Sequence, residues 1–196
     1  MHIDVAGLLD AARFIASPNF DERPAGADIS LLVIHNISLP PNEFTGEGVI
    51  ELFTNRIDPK AHPYYQSLRG LKVSAHFFIR RDGTMIQFVS CHDRAWHAGV
   101  SEWQGQDRCN DYSLGIELEG SDTTPFTENQ YSSLIALTQC LCNQYPIQHI
   151  AGHSDIAPGR KTDPGPWFDW QRYTADVNRG DLFRAAGHVS IGHEKL

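Results

Sequence analysis

Basic residues are in the minority: 16 Lys and Arg stand against 24 Asp and Glu, a formal charge of −8. Broad binding of nucleic acid needs clustered Lys and Arg, so no nucleic-acid partner is expected. Long apolar runs are missing as well. Nothing approaches the roughly 18 uninterrupted residues of a spanning helix, so no membrane segment is expected. The start, Met1-His2-Ile3-Asp4-Val5, has no basic stretch, and Asp4 and Asp10 break any apolar run. No secretory leader and no lipid-bearing cysteine are therefore expected. Cysteine is sparse. Cys91, Cys109, Cys140 and Cys142 could form two disulfides, but without an export signal thiols are the expectation, and the cytoplasm the expected compartment. Internal repeats and low-complexity linkers are absent.

What remains is globular. Hydrophobic residues make up 41% and charged ones 20% of 196 residues, which excludes wholesale disorder and coiled coil and suits one domain with a real core. Ser30–His35 is apolar on both alternating faces and reads as an inner strand covered on both sides. A short helix is expected at Val49–Thr54, then a loop over 55–72. His76–Arg81 and Thr84–Val89 flank Asp82-Gly83, the signature of a hairpin with a type I′ turn. Ser113–Glu119 alternates, with Leu114, Ile116 and Leu118 on one face and Ser113, Gly115, Glu117 and Glu119 on the other. Thr127, with Gln130 three residues on, starts a capped helix with a stripe through Tyr131, Leu134, Ile135, Thr138, Leu141, Cys142 and Tyr145. Ile147–Ala151 reads as a strand, 154–167 as a Pro- and Gly-rich loop, and Phe168 to about Val177 as a last helix. The fold class is α/β: a single domain with a central mixed β-sheet flanked by helices.

Ten histidines point to metal or proton chemistry without choosing between them. His2, His188 and His193 lie near the termini, and His62 sits in a loop beside Pro63. His35 ends a buried strand, and strand ends in α/β folds open onto clefts. His153 follows another strand, and Asp163 shares its loop. Two imidazoles and a carboxylate suit Zn²⁺ with one position left for water, although no short zinc motif is present. A rival set, Cys91, His92, His97 and Cys109, would make a closed structural site but lacks C-x-x-C spacing. Glu117 and Glu119 share a strand face, so either could be a general base. Both lie on the same wall, which disfavours a glycosidase, whose two carboxylates flank the scissile bond. Lys161, two residues before Asp163, could face an oxyanion beside the metal. Trp96-His97-Ala98-Gly99 offers an aromatic platform.

Five blocks, in order, resemble the type 2 N-acetylmuramyl-L-alanine amidases: Leu32-Val33-Ile34-His35-Asn36; Val73-Ser74-Ala75-His76-Phe77; Arg94-Ala95-Trp96-His97-Ala98-Gly99; Ser113 to Gly120; and Gly152 to Gly165. Their likeness is greatest to the cytoplasmic members that act on 1,6-anhydromuramyl peptides, and peptidoglycan recognition proteins share the fold more distantly. The resemblance runs from about residue 17 to residue 172. It implies an amidase domain over 1–179 and a C-terminal tail over 180–196. It implies a zinc-dependent hydrolase of cell-wall recycling, with one Zn²⁺ per chain on His35, His153 and Asp163. It selects Glu117 as the catalytic glutamate and Lys161 as the residue that stabilises the transition state. Asn36, Lys72, Trp96, His97 and Arg108 fall to the substrate, a small anhydromuramyl peptide. Lys72 stands where relatives often carry Arg, which keeps the charge and loses the bidentate fork. No membrane, nucleic-acid or obligate protein partner is implied. A muropeptide-binding module without activity and a zinc peptidase are the other functions the same residues would allow.

Overall fold

The computed structural model describes residues 1–177. In chain order the strands are β1 (Arg13–Phe14), β2 (Phe20–Glu22), β3 (Leu31–Ile37), β4 (Phe77–Ile79), β5 (Met85–Gln87), β6 (Asp93–Ala95), β7 (Glu102–Trp103), β8 (Gln106–Asp107), β9 (Ser113–Glu119) and β10 (His149–Gly152). The helices are α1 (Gly48–Phe53), α2 (Glu128–Gln144), α3 (His153–Ile156) and α4 (Trp170–Val177). Six strands form one sheet in the order β1-β5-β4-β9-β3-β10. Only the β4–β5 hairpin is antiparallel, so the sheet is mixed, as the sequence predicts.

Strand parity sorts the side chains. Leu32, Ile34, Phe77, Ile79, Leu114, Ile116 and Leu118 pack on one face against Leu134, Leu137 and Leu141 of α2 and Tyr173 of α4. Phe78 and Ile86 face the other way, into a second cluster with Val49, Leu52 and Phe53 of α1. Leu31 and Val33 belong to a third, with Ala98, Trp103 and Ala151. The polar alternation of β9 is buried too: all seven residues are buried, so Ser113, Gly115, Glu117 and Glu119 form an interior face and not a solvated one.

Several boundaries differ from the sequence expectation for local reasons. The β4–β5 turn is not type I′. Arg80 and Thr84 pair across it, Gly83 N donates to Arg80 O at 2.9 Å, and of Asp82-Gly83 only Gly83 has positive φ. This is a three-residue loop whose left-handed position is glycine; the Asp82 side chain accepts from Thr84 N at 2.9 Å and locks it. The 55–72 loop contains a 3₁₀ turn, Pro63–Leu68, and His62 Nδ1 caps it by accepting from Tyr64 N at 3.2 Å. Residues 153–156 are one helical turn, and the last helix begins at Trp170, two residues late. His188, His193 and the 180–196 tail lie outside the described residues.

The capping box of α2 forms as expected. Thr127 Oγ1 accepts from Gln130 N and Gln130 Oε1 from Thr127 N, each at 3.1 Å. Thr127 Oγ1 also donates to Arg81 O at 2.7 Å, which ties the helix start to the hairpin. Thr127→Ala is expected to cost about 1–2 kcal/mol, read as a lowered urea midpoint with an unchanged slope; an unshifted midpoint would deny the cap any energetic role.

Candidate active site

Parallel pairing of β3 with β9 sets His35 beside Glu117. On its other side β3 pairs with β10 as far as Ile34 opposite Gly152, and the chain turns into α3 at the next residue, His153. Asp163 arrives from the following loop, held by Ser154 N donating to Asp163 O at 2.9 Å. The three side chains converge. His35 Nδ1 lies 3.0 Å from His153 Nδ1 and 3.0 Å from Asp163 Oδ2, and His153 Nδ1 lies 3.0 Å from that same oxygen. Among the described residues this is the one cluster of His, Cys, Asp or Glu that could hold a metal ion. The rival cysteine set does not assemble: Cys91 and Cys109 are buried in different clusters.

The donor chemistry suits a cation. His153 Nε2 faces Ala98 O at 3.1 Å, so the proton sits on Nε2 and Nδ1 offers its lone pair. Lone pairs on two nitrogens and a carboxylate oxygen at such distances repel unless a proton or a cation lies among them. Burial holds His35 low, at about 4, against the opposing pull of Asp163. Burial pushes Asp163 up, but its contacts with His153 and His35 outweigh that and hold its carboxyl below the ordinary range.

Glu117 is buried, with Oε1 at 4.0 Å from His35 Nδ1 and Oε2 without any hydrogen-bond partner. An orphaned carboxylate oxygen in the interior is costly, and such atoms mark sites where a further group belongs. Burial, then the negative Asp163, raises Glu117 well above the usual carboxylate range, with Lys161 pulling the other way. Glu119, two residues on, serves the frame: its carboxylate accepts from Thr45 N at 2.8 Å and Arg81 N at 2.9 Å.

The cleft above these groups has a volume of about 560 Å³, and Asn36, Trp96, Glu117, His153, Lys161 and Asp163 all line it. Lys161 is exposed at its edge. Asn36 Nδ2 donates to Asp122 Oδ1 at 2.8 Å and to Pro164 O at 3.0 Å, which braces the Asp163 loop. Trp96 Nε1 donates to Asp21 Oδ1 at 3.0 Å, and Arg94 grips both oxygens of Asp21. His97 also lines the cleft and is packed against His35, with Nδ1 at 3.0 Å from His35 Nε2. Lys72 and Arg108 do not join the lining. Lys72 is exposed, and Arg108, with 70% of its side chain in solvent, pairs with Asp111 at 3.0 Å.

Sequence reading missed some members. Arg160 lines the cleft and donates to Ala98 O at 2.8 Å and Val100 O at 2.6 Å. Asp21, the acceptor that holds Trp96, lies in a segment without periodic pattern. Partners so distant in sequence leave no spacing to detect. Gly115 carried a quieter signal, a small residue between two polar ones on a buried face. A Cβ at 115 would intrude on the His97 ring.

A family model described as N-acetylmuramoyl-L-alanine amidase matches residues 25–166. The chain is 56% identical over 171 residues to the 1,6-anhydro-N-acetylmuramyl-L-alanine amidase AmpD of Enterobacter cloacae, a match that spans 86% of this chain and 91% of that protein. A crystal structure of a selenomethionine derivative of AmpD superposes with a TM-score of 0.88 at 55% identity, covering 90% of this chain and 99% of the other. The Escherichia coli amidase AmiD, in complex with the substrate anhydro-N-acetylmuramic acid-L-Ala-D-γ-Glu-L-Lys, gives a TM-score of 0.57 at 28% identity over 81% of this chain and 65% of that one. With a fold, an ordered set of motifs and a family match that all cover the same stretch, the chain belongs to the N-acetylmuramoyl-L-alanine amidase family.

Proposed function

We propose that this chain hydrolyses the amide bond between the lactyl group of 1,6-anhydro-N-acetylmuramic acid and the L-alanine of the stem peptide, releasing an anhydro sugar and a free peptide. One observation carries the reading: the convergence of His35, His153 and Asp163 at 3.0 Å beside the unpartnered Oε2 of Glu117, in a chain of this family. The substrate is taken from the 56% identical relative. Cell-wall recycling in the cytoplasm is the role that goes with it. Among the described residues, no helix is long and apolar enough to cross a membrane.

His35, His153 and Asp163 would hold one Zn²⁺, which when bound supplies Lewis acidity and lowers the pKa of water from about 15.7 to about 7. Glu117 takes the proton of the attacking water and delivers a proton to the departing alanine nitrogen. Its raised proton affinity suits a group that must both accept and return a proton. Lys161 places an ammonium at the cleft edge, toward the oxyanion that forms as the carbonyl becomes tetrahedral. Asn36 and Trp96 present polar and flat surfaces to the muropeptide. Lys72 and Arg108 serve as outer cations for stem-peptide carboxylates, beyond the lining.

Glu117→Ala is expected to lower turnover by about 10²–10⁴-fold, and Lys161→Ala by about 10²–10³-fold, each with full zinc content. Mass spectrometry of an anhydromuramyl-tripeptide digest reads both. Intact substrate with the wild-type protein would leave a binding module, and cleavage within the peptide would leave a peptidase. His35→Ala is expected to lose the metal; one zinc per chain by elemental analysis of that variant would break the triad.

A further inference from the structure

We propose that His97 is a positioning residue: with Ser113 behind it, His97 fixes the tautomer of His35 so that Nδ1 presents its lone pair to the metal site. The inference rests on the metal reading above.

A His35 that offers Nδ1 to a cation must carry its proton on Nε2. That Nε2 has one polar neighbour, His97 Nδ1 at 3.0 Å, so His97 must accept there. A neutral imidazole that accepts at Nδ1 keeps its own proton on Nε2. His97 Nε2 lies 3.2 Å from Ser113 Oγ, a hydroxyl able to accept it. The order His35, His97, Ser113 therefore runs donor to acceptor in one sense only. The opposite tautomer of His97 would set N–H against N–H and press the proton of His35 toward Nδ1, into the metal site.

The surroundings hold this arrangement. Ring centroids of His35 and His97 are 5.1 Å apart at 86°, so a ring edge meets a ring face. His97 sits in the space that Gly115 leaves, on the same strand face that carries Ser113 and Glu117. Its backbone N donates to Asn110 Oδ1 at 3.2 Å, as does that of Ala98 at 2.9 Å. Asn110 thus fixes both His97 and the carbonyl that sets the tautomer of His153. On the far side stands His76, whose Nδ1 accepts from Gly115 N at 3.0 Å and whose Nε2 faces Asp93 O at 3.1 Å. Arg23 Nη2 is 3.1 Å from that ring nitrogen and donates to the carbonyls of Cys91 and Ser113. A half-buried guanidinium beside the ring column opposes any second positive charge there.

The test compares His97→Leu, His97→Asn and Ser113→Ala with wild type, using zinc competition against a chromogenic chelator. His97→Leu is expected to weaken zinc by about 10–100-fold, the usual reach of a partner to a metal ligand. His97→Asn, which returns an acceptor near the place of Nδ1, is expected to recover most of that loss. Ser113→Ala is expected to fall between. At saturating zinc, KM for an anhydromuramyl tripeptide should stay at the wild-type value in Ser113→Ala, whose side chain lies outside the cleft lining. A second measurement needs no variant: ¹⁵N shifts of the zinc-loaded wild type should show His97 protonated at Nε2. Should His97→Leu fail to fold, Ser113→Ala and those shifts decide. Unchanged zinc affinity in a folded His97→Leu, a raised KM of Ser113→Ala at saturating zinc, or a proton on His97 Nδ1 would each overturn the proposal. Wild type that takes up no zinc would overturn the metal reading itself, which separates the two failures.

Discussion

Two imidazole nitrogens and a carboxylate oxygen face each other at 3.0 Å, in a place almost closed to water. Nothing in an isolated chain would choose that arrangement. Each group must be stripped of solvent, and each turns a lone pair toward another lone pair. The remainder of the molecule can be read as the means of holding it. Three parallel strands bring His35, Glu117 and the start of α3 level with one another. Asn36 braces the loop that carries Asp163, and Ala98 O fixes the ring of His153. On the opposite face the sheet is sealed by the apolar side chains of α2 and α4, which contribute the burial that offsets the polar face.

Much of this was legible before the fold was known. The apolar run ending at His35, the alternation of Ser113–Glu119 and the capping box at Thr127 each correspond to an element found, because each depends on neighbours in sequence. The choice between Glu117 and Glu119 was not legible from spacing. Both have the same parity, and what separates them is register: Glu117 lies opposite His35, whereas Glu119 lies opposite Ile37 and meets the amides of Thr45 and Arg81. Register between strands so far apart in the chain is a tertiary property, and only likeness to known amidases could supply it.

The same limit explains the other differences. Asp82-Gly83 marked a turn correctly but not its type, because the Asp82 side chain bonds to Thr84 N and favours a three-residue loop. His62, a loop histidine in the sequence, caps the 3₁₀ turn because its partner is the backbone two residues on. Arg108 and Lys72, assigned to the substrate by likeness of position, stand outside the cleft lining, the first paired with Asp111.

Gly115 shows how far the histidine cluster around His35 reaches into sequence. It bonds no metal and carries no charge, yet the ring of His97 occupies the place its side chain would take. The identity of a mid-strand residue is thus dictated by a loop that precedes it in the chain. Positions 97 and 115 are locked as a pair: a larger residue at 115 is admissible only once the imidazole has gone, and with it the arrangement around His35. Drift along this strand is therefore blocked at a position that looks, residue by residue, like the most replaceable one in it.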